Sequence, residues 1–288
     1  MISYSWYRSC STILRALLSM LPDFLKPPVA EVALSVAFES LPNLSLAHIG
    51  LLWQRVRDEL PNVEEHPPFA VPPLQQLDPG QIVPPSGPTI TVLGFPSLPR
   101  VWFLNKSKTQ LVQLQRDWLA RNWRKVNEDD VYPRYSQIRA SFQQDLDLFS
   151  TFLLTEGLGT LKPQQCEVTY VNNIVWGVGD LDQIITVFRP EFSDSYLTRP
   201  QAALVSMNFL MPPENNGPPG RLFIVAQPAL RISDNQPILQ LTLTARGVSK
   251  GESLKSLLKT LDAAHEWVVR GFASITTHTM HQKWGRIE

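Results

Sequence analysis

Alternation of apolar and polar residues predicts several β-strands. The clearest case runs from Val29 to Phe38, where every even-numbered residue is apolar while Glu31 and Ser35 occupy odd positions. A period of two places these two sets on opposite faces, so the segment is predicted to be a half-buried strand. The same pattern predicts strands at 100–104, at 110–125 as one long strand or a strand pair, and at 165–176, 202–211, 221–227 and 237–246.

Apolar residues also recur at helical spacing in three segments. One helix is predicted to follow a turn at 40–43 and to end at Pro61, a second begins at Pro133, and the longest follows Gly251. Their apolar stripes are Leu46, Ile49, Trp53, Val56 and Leu60; Ile138, Phe142, Leu146, Phe149 and Leu153; and Leu254, Leu257, Leu258, Leu261, Ala264, Val268, Phe272 and Ile275.

These elements predict an α+β fold. Their order is strand, helix, strand, strand, helix, strand, followed by an antiparallel meander and a long C-terminal helix. We expect antiparallel sheets covered by helices, with the last helix lying across the meander. The predicted organisation is an N-terminal extension at 1–26, a first sublayer at 27–180 and a second sublayer at 181–288, the two sublayers packed as one unit. The extension is interpreted as a short amphipathic helix or a poorly ordered segment.

A proline-rich stretch interrupts the first sublayer. Residues 61–100 hold 11 of the 25 prolines of the chain. Because proline lacks a backbone donor, this stretch is excluded from the centre of a sheet or a helix. We expect an excursion over the surface, and a proline-rich ligand for an aromatic groove is the alternative.

Composition narrows the class of protein. The chain has 288 residues, with 26 basic and 26 acidic side chains and 43% hydrophobic residues, which excludes a polycation and a globally disordered chain. Two cysteines cannot form a disulfide scaffold, and their wide separation indicates a reducing compartment. The sequence has no run of about 18 apolar residues, so a spanning helix is not expected. We therefore predict a cytoplasmic protein that does not enter a membrane.

Catalytic and cofactor motifs are not found in the sequence. It has no glycine-rich dinucleotide fingerprint, phosphate-binding loop or nucleophile elbow, and residues 177–180 are interpreted as a loop. Cys166 alternates with apolar neighbours, which is typical of a buried thiol. His278 and His281 are three residues apart but lack a third ligand, so they are interpreted as surface histidines. We predict no cofactor, no metal and no catalytic residue.

The segment 100–125 concentrates positive charge in a chain that is neutral overall. It holds seven basic residues and one acidic residue, with three tryptophans interleaved. Lys and Arg neutralise phosphates and Trp stacks on bases, so single-stranded nucleic acid is one predicted partner. Arg121, Trp123 and Arg124 would carry this binding. Alternation divides the segment between two faces, and a charged outer face over a tryptophan-filled core is the competing interpretation.

Two further groups of residues are candidates for binding. Tyr132, Arg134 and Tyr135 lie at a helix start beside Trp123, and an exposed cluster of aromatic and Arg side chains is typical of a protein–protein interface. His265 lies beside the buried stripe of the last helix. It is either a neutral core imidazole hydrogen-bonded to a strand or the polar group of a ligand site.

Several short segments of the sequence, taken in order, suggest a family. They are Pro28-Val29-Ala30-Glu31-Val32, the run from Gln113 to Arg124, Tyr132-Pro133-Arg134-Tyr135, His265-Glu266 and Trp284-Gly285-Arg286. Their order and spacing resemble a sporadically distributed family of uncharacterised prokaryotic proteins of about this length. The resemblance implies no assigned activity and no catalytic residue, and a patchy distribution is typical of mobile or defence-associated genes.

The sequence therefore predicts a non-enzymatic binding or assembly protein, a protein–protein adaptor in a mobile or defence-associated gene module. The first alternative is a nucleic-acid-binding protein that uses the basic, tryptophan-containing segment. The second is a small-ligand sensor or enzyme with its site near His265, which requires a concave pocket with a further polar group. The protein partner and the oligomeric state are left open.

Overall fold

One antiparallel sheet runs through the described part of the chain. The computed structural model describes residues 21–70, 98–175, 181–188, 196, 200, 202–212, 220–231, 233–248 and 253–287. The strands are β1 (Val29–Phe38), β2 (Asn62–His66), β3 (Arg100–Leu104), β4 (Gln110–Gln115), β5 (Trp118–Arg124), β6 (Pro163–Val175), β7 (Val205–Met211), β8 (Gly220–Leu230) and β9 (Pro237–Gly247). The helices are α1 (Leu46–Val56), α2 (Arg134–Thr155), α3 (Leu181–Ile184), α4 (Leu254–Ile275) and α5 (His278–Lys283).

The strands lie side by side in the order β2-β3-β4-β5-β1-β6-β9-β8-β7. This confirms the predicted mixture of antiparallel sheet and helices with a long C-terminal helix. One detail differs from the prediction. The strands form one sheet instead of separate sheets, because β6 pairs with β1 on one side and with β9 on the other. The segment 110–125 is a pair of strands joined by a tight turn, which is one of the two predicted arrangements.

The even-numbered residues of β1 lie on the face of the sheet that the helices cover. Val32, Leu34 and Val36 are fully buried there, as the alternating pattern predicts. We call this side the helix face and the opposite side the open face. The apolar stripe of α2 packs on this face, and Phe38 contacts Phe149 at 5.8 Å between ring centroids.

The long helix α4 crosses strands β6, β8 and β9 on the helix face. Ser253 caps its first turn by accepting a hydrogen bond from the backbone N–H of Ser256 at 3.2 Å. Its predicted stripe is the buried one, since Leu257, Leu261 and Ala264 have no exposed side-chain surface. Burial of this stripe removes apolar surface from water and holds the helix to the sheet.

The proline-rich stretch contains one strand that the sequence analysis did not predict. Asn62–His66 forms the edge strand β2, paired antiparallel with β3. Pro61 and Pro67 flank this strand, and an edge position tolerates prolines at its ends. Residues 71–97, which make up most of the predicted excursion, and the predicted loop at 177–180 lie outside the described residues.

The two ends of the described chain meet. Residues 21–26, which we call the N-terminal strap, contact the segment that follows α5. Leu25 N–H donates to the carbonyl of Gly285 at 3.0 Å, and Ile287 N–H donates to that of Asp23 at 2.9 Å. The ring of Phe24 packs edge-on against Phe272 of α4 at 5.6 Å. These contacts make the end of the predicted extension a part of the fold, without helical structure.

Candidate functional site

A pocket of about 700 Å³ lies on the helix face, where β1 begins. Strand β6 lines it with Tyr170 and Asn172, helix α4 with His265 and Phe272, and the start of α2 with Tyr135. The N-terminal strap forms the remaining wall. A volume of this size is typical of sites for small organic molecules.

A chain of hydrogen bonds forms the polar side of the pocket. The hydroxyl of Tyr132 lies 2.8 Å from the hydroxyl of Tyr170, and the latter lies 3.2 Å from Nδ1 of His265. Within the described residues, the second ring nitrogen of His265, Nε2, makes no hydrogen bond. That nitrogen is therefore left for a bound molecule.

A second set of contacts holds the imidazole of His265 in place. The ring of Tyr135 stacks on it in parallel, with the centroids 3.7 Å apart and an interplanar angle of 3°. The hydroxyl of Tyr135 donates to Oδ1 of Asp262 at 2.8 Å. Arg139 binds both oxygens of the same carboxylate, at 2.7 and 3.0 Å. The ring orientation is thus set by stacking and by an ion pair one turn away.

Burial keeps the titratable groups of the hydrogen-bonded chain uncharged. It lowers the pKa of His265 to about 4, although the nearby charge of Asp262 acts in the opposite direction. It also raises the pKa of Tyr132 to about 12 and that of Tyr170 well above its ordinary value. At neutral pH the hydrogen-bonded chain is therefore neutral throughout.

The rest of the pocket lining is mainly apolar. Its apolar residues are Leu21, Pro22, Phe24, Pro27, Val29, Val268, Val269 and Phe272. The charged groups at its edge are paired with one another, since Arg134 donates to Asp23 at 2.7 Å and Arg270 donates to Glu266 at the same distance. An apolar wall facing a neutral hydrogen-bonding group suits an amphipathic molecule without net charge.

Arg134 ties the N-terminal strap to the start of α2. Its guanidinium also donates to the carbonyl of Phe24 at 3.1 Å. The backbone of Arg134 has a φ of 72°, in the left-handed region that residues with a side chain rarely adopt. Such local strain persists where surrounding contacts hold it, and here those contacts join the strap to the pocket.

The structure buries two of the predicted partner-binding residues. Arg121 and Trp123 are each 4% exposed, which corrects the expectation of an exposed corner around Trp123. Strand β5 lies between β4 and β1, and its odd-numbered residues face α2. The guanidinium of Arg121 donates hydrogen bonds to Asp145, at 3.2 Å, and to Glu59, at 2.7 Å. Neither Arg121 nor Trp123 offers the free side chain that stacking on a base or docking of a partner requires.

The other predicted residues divide between the two faces of the sheet. Tyr132, Arg134 and Tyr135 come together with His265 around the pocket, although the sequence analysis treated them as separate sites. Arg124 lies on the open face, where its guanidinium is over the ring of Trp102 at 5.7 Å.

Three important residues of the site were not predicted. Tyr170 lies in the strand predicted at 165–176, and a buried tyrosine on an apolar face needs a partner for its hydroxyl. Asp262 lies three residues before His265 on the same side of a helix, and Arg139 lies four residues after Tyr135. This spacing was the available signal, but it does not reveal that the two helices meet.

The two histidines near the C-terminus differ in burial. His281 is 5% exposed, which corrects its assignment to the surface. Its Nε2 lies 2.9 Å from the hydroxyl of Thr276, and Arg286 donates to its Nδ1 at 3.0 Å. His278 is exposed and lies 3.1 Å from Gln282. Among the residues described, no group of three or more His, Cys, Asp and Glu side chains is arranged to hold a metal.

Comparison with known proteins does not assign the chain. No model of a known protein family matches it, and no curated protein shows significant similarity. The resemblance to a sporadically distributed prokaryotic family therefore stays a prediction. In the part of the chain that the structure describes, no helix has both the length and the hydropathy to span a bilayer.

Proposed function

We propose that this protein binds a small, uncharged, amphipathic molecule in the pocket at His265 and acts as a ligand sensor. The observation that carries the proposal is the combination of a cavity of about 700 Å³ with a neutral, rigidly held imidazole on its wall. A binding site needs such a preorganised polar group, because ordering a mobile side chain would cost affinity.

The hydrogen-bonded chain allows His265 to act towards a ligand as a hydrogen-bond donor or as an acceptor. When Tyr170 donates to Nδ1 of His265, Nε2 carries the proton and donates to the ligand. When Nδ1 carries the proton and donates to Tyr170, Nε2 accepts. A carbonyl or a hydroxyl group on the ligand would satisfy this nitrogen, while the body of the ligand contacts Val268 and Phe272.

Two features favour binding over catalysis. A general base works best with a pKa near the working pH, and a pKa of about 4 makes His265 a weak base at neutral pH. Among the described residues, the hydroxyl that contacts His265 belongs to Tyr170, whose raised pKa makes it a poor nucleophile. We therefore interpret the site as a receptor for a ligand that leaves unchanged.

The test is a thermal-shift and NMR screen of neutral fragments that each carry one carbonyl or hydroxyl group. We expect hits to raise the Tm of the native chain and to lose this effect with His265→Phe, which keeps a planar ring but removes both nitrogens. The exposed residue His278 provides the matched control, His278→Phe, which should keep every hit. Fragments that stabilise His265→Phe as well as the native chain would refute the proposal.

The adaptor and nucleic-acid hypotheses stay predictions. Both depended on an accessible Trp123, which is buried under α2. The nucleic-acid hypothesis also depended on Arg121, which is buried beside it. Tyr132 and Tyr135 face the pocket rather than a flat surface. The pocket accounts for more of the predicted residues than either of these hypotheses does.

A further inference from the structure

A second group of polar and aromatic side chains lies on the open face of the sheet, on the side opposite to the pocket. Trp102 of β3 lies between β2 and β4, and the ring of His66 stacks on it at 3.9 Å between centroids. The guanidinium groups of Arg100 and Arg124 lie over the same indole at 5.5 and 5.7 Å. We call His66, Arg100, Trp102 and Arg124 the Trp102 cluster.

Among the described residues, neither arginine of the Trp102 cluster forms an ion-pair contact with a carboxylate. Arg124 donates through Nε to the carbonyl of Lys108 at 2.8 Å. Arg100 lies between the rings of Phe69, at 5.0 Å, and Trp102. The neighbouring carboxylate of Glu64 binds Nζ of Lys108 at 3.2 Å. Glu64 acts on Arg124 only through its nearby charge, without an ion-pair contact, and Arg100 has no ion pair among the described residues. A half-buried cation without an ion pair is a costly arrangement.

Several polar atoms of the same cluster are buried without a hydrogen bond. They include three nitrogens, Nε of Arg100, Nε1 of Trp102 and Nε2 of His66. The last lies 3.5 Å from a carboxylate oxygen of Glu64, within range for an ion pair but long for a hydrogen bond. Buried donors in folded proteins nearly always have an acceptor, so these nitrogens are the donors that a bound group at this cluster would use.

The surrounding contacts hold the cluster in place. The side-chain amide of Gln115 accepts from the backbone N–H of Phe69 at 3.3 Å and donates to its carbonyl at 3.0 Å. This fixes the chain that leaves β2 over the open face. Burial also lowers the pKa of the Arg100 guanidinium, the direction expected for a desolvated cation without an ion pair.

We propose that the Trp102 cluster is a binding site for an oxyanion, a phosphate or carboxylate group of a small ligand. The planar guanidinium of arginine presents donors in a fork that matches either group. An oxyanion between Arg100 and Arg124 would accept hydrogen bonds from Nε of Arg100 and from the indole of Trp102. It would also bring a negative charge to Arg100, which forms no ion pair among the described residues.

The test follows the indole N–H signals of the full chain by two-dimensional NMR while sodium phosphate or sodium acetate replaces sodium chloride at constant ionic strength. Trp102→Phe identifies the signal of Trp102 among the eight tryptophans. We expect this signal to shift and saturate with at least one anion. Saturation with phosphate identifies a phosphate site, and saturation with acetate alone identifies a carboxylate site.

Substitutions distinguish specific anion binding at the Trp102 cluster from a nonspecific effect of positive charge. Arg100→Gln and Arg124→Gln should each weaken the affinity by about tenfold, the usual effect of losing one charge-assisted hydrogen bond. Arg116→Gln, which removes an exposed charge of the same segment outside the cluster, should leave it unchanged. A shift that never saturates with either anion, or an equal loss with Arg116→Gln, would overturn the proposal.

Discussion

Acidification is expected to destabilise the fold through His265. In the unfolded chain an imidazole takes up a proton near pH 6.5, whereas burial lowers the pKa of His265 in the folded chain to about 4. Between these values the unfolded state binds more protons than the folded state. The contribution of His265 to stability is therefore fully present above about pH 6.5 and is lost progressively as the pH falls towards 4.

The size of the effect follows from the two pKa values. Between about pH 7.5 and about pH 4.5, protonation of the unfolded chain at this single site lowers the free energy of unfolding by about 2.5 kcal/mol. Domains commonly have a total stability of about 5–15 kcal/mol, so the loss is easily measured. The groups that face the ring do not cancel it, because Tyr135 and Tyr170 stay neutral and Asp262 is paired with Arg139.

The assay is urea unfolding at both pH values for the native chain and for His265→Gln, which cannot take up the proton. The native chain should lose about 2.5 kcal/mol more than the variant between the two conditions. His278→Gln, at an exposed position, should behave as the native chain does. The reasoning is refuted if the native chain and His265→Gln lose stability equally, or if NMR shows the His265 ring titrating near pH 6.5 in the folded protein.

Two further predictions concern other buried groups. Asp145→Asn removes the buried one of the two carboxylates that bind the Arg121 guanidinium and should cost about 3 kcal/mol in urea unfolding. Glu59→Gln removes the other carboxylate, which is 64% exposed, and should cost less than about 1 kcal/mol. Equal costs would contradict this account. Burial raises the pKa of the Cys166 thiol to about 12. In a Cys10→Ser chain, alkylation of Cys166 at about pH 8 should therefore proceed at the rate of unfolding. Fast labelling of Cys166 in the folded chain would contradict its burial.

Local patterns were sufficient for the faces that the helices cover. The alternation in Val29–Phe38 and the stripe along Leu254–Ile275 predicted those faces. The burial of Ser35 and Ala37 on the other face of β1 was not predicted by the alternation. The edge strand Asn62–His66 was missed because only its flanking prolines stand out in the sequence. Its strand geometry depends on pairing with β3, which local sequence does not display.

Several residues of the candidate site were predicted individually, but their arrangement around one pocket was not. His265, Tyr132 and Tyr135 were each singled out, but the assignment of the two tyrosines to an outer surface depended on exposure, which the sequence does not show. Tyr170 lies 95 residues from His265 along the chain and 38 from Tyr132. A hydrogen-bonded chain across such separations exists only after β6, α2 and α4 have packed together.

The sequence by itself determined which residues share a face, because the periods of strand and helix follow from backbone geometry. Arg121 and Trp123 were thus correctly placed together on β5. Only the tertiary structure decided which face of that strand is covered, because either face of a strand can receive a helix and α2 packs on the odd-numbered one. The same packing closed the pocket at His265, whose low pKa comes from burial beneath elements distant in the sequence.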